Sequence, residues 1–216
     1  MAETEKPVAG IVLAAGSSQR LGRPKQLLRL HGKSLIAMVL EAALASRLRH
    51  TFLVLGHEAA RITEALGSLA HHRRLTVVDN TLHGQGQATS LHAGLRAAEN
   101  NFAAAMFLMC DQPLLDEATI DRLLEQFQAS PKDICVPVCG GQRRNPAIFS
   151  ERFFDPIFSI SGDTGARALI DNHPEAVLRV EFEDPTRFLD VDDEGALEKL
   201  REIVGNAQPP HSHPAE

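Results

Sequence analysis

The chain has 216 residues, 44% of them hydrophobic and 23% charged, with a formal net charge of −6. This length and composition suit one globular domain with a full core. The negative balance argues against a nucleic-acid partner held on a broad basic surface, and the lack of any run of about 18 apolar residues argues against a membrane span.

In chain order, the continuous apolar run Val8–Ala14 predicts a strand buried on both faces. Lys33–Ser46 carries Leu35, Ile36, Val39, Leu40, Ala43 and Leu44 at helical spacing. Thr51–Leu55 predicts a strand, Glu58–Leu69 a helix, Leu75–Asp79 a strand and Gln87–Glu99 a helix. Ala103–Met109 is a fourth strand. Asp116–Gln128 is a helix capped by Asp116 or a neighbour, with Ile120, Leu123, Leu124 and Phe127 inward. Ile134–Val138 is a fifth strand. This alternation implies a parallel, doubly wound sheet with helices on both faces. Gly140-Gly141 marks a hairpin turn and Pro146–Phe149 a small antiparallel return. Short helices near Glu151–Phe154 and Gly165–Asn172, a strand at Val177–Phe182 and a helix at Glu194–Val204 follow. One domain over 1–204 is expected, with a disordered tail over 205–216.

Cys110, Cys135 and Cys139 are an odd number, which favours free thiols in a reducing cytoplasm. Cys135 and Cys139 lack further ligands at metal-site spacing and read as core. Met1–Lys6 lacks the basic and apolar regions of a signal peptide, so a cytoplasmic location is expected.

Residues 12–25, Val-Leu-Ala-Ala-Gly-Ser-Ser-Gln-Arg-Leu-Gly-Arg-Pro-Lys, lead from the first strand into a small-residue loop with two cations, Arg20 and Lys25. Gly16 and Gly22 permit backbone angles that other residues resist. Small side chains at Ala14, Ala15, Ser17 and Ser18 let main-chain N–H groups approach an anion. At the carboxyl end of a first parallel strand, such a loop points to a nucleotide site, although it is neither G-x-x-x-x-G-K-[ST] nor G-x-G-x-x-G. From Leu13 to Lys25 it resembles, residue by residue, the signature L-A-A-G-x-S-x-R-x-G-x-x-K of the nucleotidyltransferases of molybdenum cofactor biosynthesis. Leu-Ala-Ala-Gly is similar to the cytidylyltransferase branch, whereas Leu-Ala-Gly-Gly is typical of the guanylyltransferase branch.

Four further stretches bear on the site. Cys110-Asp111-Gln112-Pro113 places a carboxylate at a strand end, where it is costly to desolvate unless paired or metal-bound. It reads either as a helix-entry Asp or as a Mg²⁺ ligand. The resemblance implies the second, since the family's Asp in Cys-Asp-x-Pro holds the magnesium. Asn80–Leu91 is similar to the family's nucleoside element at Asn80, Gly84, Ser90 and Leu91, with N-capping by Thr89 as the structural alternative. Gly162–Arg167 is similar to the family's Gly-Asp-x-Gly-Ala-Arg stretch near the second substrate, alongside Asn145-Pro146-Ala147. Asp163 and Arg167 read as pterin-side contacts or, for Asp163, as a helix cap. Asp190-Val191-Asp192-Asp193-Glu194 resembles an acidic family element, except that Asp193 stands where Thr is usual. In an extended stretch alternation sends Asp190 and Asp192 to one face, where one of them joins Asp111 on a metal or the segment forms a solvated acidic start to the last helix.

The resemblance spans residues 8 to about 200 and implies a single-domain Rossmann-like nucleotidyltransferase fold. It implies CTP and molybdenum-loaded molybdopterin as substrates, Mg²⁺ (or Mn²⁺) as cofactor, and Arg20, Lys25 and Asp111 as catalytic residues. A molybdoenzyme or its maturation chaperone is an implied partner. The alternatives are guanylyl transfer on the same fold, nucleotidyl transfer to a sugar or polyol phosphate, and a non-catalytic molybdopterin chaperone.

Overall fold

The computed structural model describes residues 7–17 and 23–206. Its strands are β1 (Val8–Leu13), β2 (Arg29–Leu30), β3 (Lys33–Ser34), β4 (His50–Leu55), β5 (Leu75–Asp79), β6 (Ala104–Met109), β7 (Ile134–Cys139), β8 (Gln142–Arg143), β9 (Ala147–Ser150) and β10 (Val177–Phe182). Its helices are α1 (Leu35–Ala45), α2 (Ala59–Leu66), α3 (Gln87–Ala98), α4 (Glu117–Gln128), α5 (Phe154–Phe158), α6 (Arg167–Asn172) and α7 (Glu194–Asn206).

The main sheet runs β5-β4-β1-β6-β9-β7-β10, with β8 paired to β7. Neighbours are parallel from β5 to β6 and again from β7 to β10, while β9 is antiparallel to both β6 and β7. The expected mostly parallel sheet and its antiparallel extension are therefore present. Strand order reverses at β1, where β4 and β5 lie on one side and β6 on the other. A ligand crevice opens at the carboxyl ends of strands at such a switch point.

Alternation along β1 supplies both cores. Val8 and Val12 join the side chains of α1, α2 and α4 on one face, whereas Ala9, Ile11 and Leu13 join those of α3, α5 and α6 on the other. The inward set predicted for α4 is buried, and Asp116 Oδ1 accepts from the Thr119 N–H at 2.9 Å as the helix cap. Gly140 and Gly141 both adopt positive φ, 58° and 74°, and turn the chain from β7 into β8. All three cysteines are buried and free. Among the described residues no helix is long and apolar enough to cross a membrane.

Three elements depart from expectation. The helix predicted from Lys33 begins at Leu35, because Lys33–Ser34 pairs back on Arg29–Leu30 through a His31-Gly32 turn at positive φ. The helix predicted over 58–69 is regular only over α2, and a tight 3-10 turn occupies Gly67–His71. The last helix runs two residues beyond the expected Val204, to Asn206, and residues 207–216 of the expected tail lie outside the described residues.

A third, small core matters for the site. Leu28, Leu30 and Leu35 around the β2–β3 hairpin pack on Val191, Leu197 and Leu200 from α7 and its approach. This apolar contact brings the acidic 190–192 segment, distant in sequence, against the loop after β1.

Candidate active site

A cleft of about 610 Å³ lies at the carboxyl ends of β1 and β6. Of the predicted nucleotide-loop residues, Leu13, Ala15, Gly16 and Ser17 line it, together with Lys25, Gly84, Ser90, Asp111 and Asp163. Ser18, Arg20 and Gly22 lie outside the described residues.

Ala14 is placed otherwise than expected for a cradle residue. Its side chain is buried in the core, its N–H donates to Val54 O at 2.9 Å, and its carbonyl accepts from Gln26 Nε2 at 2.9 Å. The same Gln26 amide donates to Gly16 O at 2.8 Å. A trans peptide carries its C=O and the following N–H on opposite edges. By fixing these two carbonyls, Gln26 leaves the N–H groups of Ala15 and Ser17 facing away from it, on residues that line the cleft. Gln26 is 1% exposed and was not anticipated. Its only sequence signal is a polar residue wedged between Lys25 and the Leu27-Leu28 pair.

Asn80 does not line the cleft. Its amide donates to Thr89 Oγ1 at 2.9 Å and Ser90 Oγ at 3.0 Å, and its Oδ1 accepts from the Leu82 N–H at 3.0 Å. It braces the cleft-lining Ser90 from behind. Thr89 donates to Gly86 O at 2.8 Å, closing the first turn of α3.

Asp163 and Arg167, expected together on the second substrate, divide between two cavities. Asp163 lines the first cleft, and its Oδ1 accepts from the Gln87 N–H at 3.3 Å while Gly162 O accepts from the Ala88 N–H at 3.0 Å. Asp163 therefore caps α3, not the short helix that follows it. Arg167 opens α6 and lines an adjoining cavity of about 340 Å³. That cavity also carries Arg143, Arg144 and Asn145, over an apolar floor that includes Phe107 and Phe149. Leu13, Gln87 and Met109 line both cavities.

On the wall of the first cleft lies the charged centre. Lys25 Nζ donates to Asp111 Oδ2 at 2.5 Å and to Asp192 Oδ1 at 3.2 Å. The Asp111 side chain is only 9% exposed, and among the described residues its Oδ1 has no hydrogen-bond partner. The Val191 N–H donates to Asp111 O at 2.9 Å. Val191 is buried, and of its two acidic neighbours Asp192 reaches Lys25 while Asp190 lines the second cavity. Asp193 caps α7, its Oδ1 accepting from the Ala196 N–H at 2.8 Å, which makes it a working substitute for the usual Thr.

Burial would lower the Lys25 pKa, but attraction and hydrogen bonding to Asp111 dominate and hold the ammonium above the usual lysine value. Asp190, on the wall of the second cavity, moves the other way. Burial and the Asp111 charge push its carboxyl up to about 6. Cys110 is pushed up to about 12 by burial and by Asp111, which favours the protonated thiol at neutral pH.

The Asp190 shift has a testable sign. A carboxyl whose pKa is raised on folding supports the fold below its unfolded pKa of about 4. That support is lost as pH rises through the folded value of about 6. Without divalent cations, Asp190→Asn is expected to melt a few degrees above the wild type at pH 7.5, with the gap closing near pH 4. Thermal melts across that range in chelator check this, and a pH-independent gap would refute it.

Residues 10–177 match the family described as MobA-like NTP transferase domain. Among curated proteins, the chain is 34% identical over 168 residues to the purine catabolism protein PucB of Bacillus subtilis, covering 74% of this chain and 79% of that one. It is 30% identical over 207 residues to nicotine blue oxidoreductase of Paenarthrobacter nicotinovorans, covering 89% and 96%. It is also 30% identical over 151 residues to a probable molybdenum cofactor guanylyltransferase of Thermococcus sibiricus, covering 68% and 71%. Among solved structures, an rv0371c homologue from Mycobacterium sp. strain JC1 superposes with TM-score 0.81 at 27% identity, covering 93% and 98%. The manganese complex of Rv0371C from Mycobacterium tuberculosis superposes with TM-score 0.75 at 25% identity, covering 91% and 98%.

Proposed function

The chain belongs to the MobA-like NTP transferase family, and from that premise we propose that it transfers CMP from CTP to the phosphate of molybdenum-loaded molybdopterin, releasing pyrophosphate. The observation that carries this reading is the Lys25–Asp111 pair on the wall of the first cleft, which shares Leu13, Gln87 and Met109 with a second cavity. One cavity is walled by the small-residue loop after β1. The other is edged by Arg143, Arg144 and Arg167 over an apolar floor, which suits a flat acceptor bearing a phosphate.

Nucleotidyl transfer needs positioning and charge neutralisation more than covalent help. In this reading an oxygen of the acceptor phosphate attacks the α-phosphorus of CTP in line, and the bond to the pyrophosphate oxygen breaks. The attacking phosphate is already ionised, so no general base is required. Lys25, with Arg20 from the same loop, offsets the charge gathered on the leaving pyrophosphate. Gln26 keeps the loop's N–H groups turned toward the triphosphate.

Nucleotidyltransferases of this kind use divalent metals, and one solved neighbour is a manganese complex. The carboxylates fit such an ion, because Asp111 presents a buried oxygen with no partner among the described residues. Asp111, with Asp190 or Asp192, would hold the ion, Mg²⁺ or Mn²⁺, and it would supply a Lewis acid at the triphosphate.

Ala15 supports the choice of cytosine. Ala15 lines the cleft at the position where the guanylyl branch has glycine, and its methyl group, buried among core residues, fixes the wall there. The test is a panel of nucleotides with molybdopterin and sugar phosphates as acceptors, scored by pyrophosphate release. A preference for GTP would replace the cytidylyl reading with the guanylyl one, and release only with a sugar phosphate would replace the acceptor. Ala15→Gly is expected to erode the CTP-over-GTP ratio of kcat/KM by roughly 10-fold to 100-fold, the range that one methyl group in a pocket commands. An unchanged ratio would remove Ala15 from specificity.

A further inference from the structure

We propose that Lys25 is an internal stand-in for the divalent cation. On this view its ammonium and the metal hold the Asp111–Asp192 position in turn, and the metal enters together with the triphosphate. The inference rests on the metal-assisted reading above and adds to it an exchange and an order of binding.

The ammonium lies 2.5 Å from Asp111 and 3.2 Å from Asp192, so it already spans two of the carboxylates that a metal would use. The pair is largely withdrawn from water, with the Lys25 side chain 19% exposed and that of Asp111 9%. At such a site the dielectric is reduced, and a second cation within roughly 4 Å of the ammonium meets strong repulsion. Among the described residues no group of three or more His, Cys, Asp or Glu side chains is arranged to hold a metal ion. Two of the acidic groups are instead drawn onto the ammonium. Metal and ammonium are therefore alternatives for Asp111 Oδ2 and Asp192.

Lys25 also has somewhere to go. Its backbone is fixed beside Gln26, which grips the carbonyls of Ala14 and Gly16, so the lysine stem starts from a set point at the edge of the cleft. Four methylenes let the ammonium swing from the carboxylates to an anion above the loop. A metal–triphosphate complex supplies both exchange partners at once, a cation for the carboxylates and an anion for the lysine. A bare metal ion supplies only the first.

The test is an Mn²⁺ titration of the full chain by electron paramagnetic resonance without nucleotide, on wild type, Lys25→Met, Lys25→Arg and Asp111→Asn. Lys25→Met is expected to bind Mn²⁺ at least tenfold tighter than wild type. Lys25→Arg should bind like wild type, and Asp111→Asn at least tenfold more weakly than wild type. Equal or weaker binding by Lys25→Met, while wild type binds well, overturns the exchange but leaves the metal reading standing. No Mn²⁺ binding by any of the proteins, Lys25→Met included, overturns both. A second measurement needs no variant. At Mn²⁺ concentrations that saturate the site in the titration, acylation of the Lys25 amine by an amine-reactive ester should rise severalfold, read by mass spectrometry, and an unchanged or slower rate at saturation overturns the exchange.

Discussion

Asp111→Asn is expected to cut pyrophosphate release at least 10³-fold, about 4 kcal/mol of transition-state stabilisation, while the protein still melts within a few degrees of wild type. Two features of the site set these opposite magnitudes. The carboxylate sits where β6 delivers it to the wall of the first cleft, and it anchors Lys25 at 2.5 Å. Asparagine keeps the shape and removes the charge, so both the hold on a cation and the grip on Lys25 are lost. Stability responds differently because Asp111 is an expensive residue in the resting fold. Its Oδ1 is buried without a partner among the described residues. Removing the charge relieves that desolvation, and the ammonium it leaves behind keeps Asp192 as a partner at 3.2 Å, so the loss of the ion pair is partly offset. Steady-state turnover beside a thermal melt decides the matter. Activity within tenfold of wild type would sink the role of Asp111, and a collapse of the melting temperature would make the residue structural.

Gly86→Ala is the second large effect, and it falls on the fold. Gly86 has φ near 110°, a conformation that L side chains rarely adopt. A Cβ there would lie 2.4 Å from the Gly162 carbonyl carbon, 2.5 Å from its oxygen and 2.9 Å from the Asp163 nitrogen. All three obstacles are main chain and cannot rotate away. The segment they belong to caps α3 through Gly162 O and Asp163 Oδ1, so relief of the clash uncouples that cap. Backbone strain, clash and cap together are expected to cost about 3 kcal/mol. For a chain of this size that lowers the melting temperature by roughly 6–12 °C. The surviving folded fraction should show a raised KM for the nucleotide, because Gln87 and Asp163 line the cleft. A melting temperature within 2 °C of wild type would show that the segment gives way freely.

Much of this fold is legible in the chain because its central strands are self-declaring. Val8–Leu13 and Ala104–Met109 are unbroken apolar runs, and each ends in the residues that line the cleft. Asp116 announces α4 by local chemistry alone. Asp111 is legible as a charge after a strand end and Lys25 as a cation closing the loop after β1, although 86 residues separate them. The unread parts depend on contacts between distant segments. Gln26 looks like any surface amide until the β1 loop folds over it. Arg29–Ser34 reads as the approach to a helix because two-residue strands leave no periodicity. Arg143 and Arg144 follow a turn and carry no pattern of their own, yet they define the edge of the second cavity. The pairing of Asp163 with α3 instead of α6 has no local signature, since a carboxylate before a helix normally caps that helix.

The antiparallel strand β9 also has a consequence for how such a protein diversifies. Lying between β6 and β7, it sets them two strand spacings apart, roughly 9–10 Å. The gap is floored by Phe107, Ala147 and Phe149 and bordered by the turn that carries Arg143 and Arg144. Among the described residues the loop after β1 does not pair with that wedge, and β6 pairs with it only over Ala104–Phe107, short of Asp111. Substitutions in the turn or in β9 can therefore recut the second cavity while the first keeps the wall formed by the loop after β1.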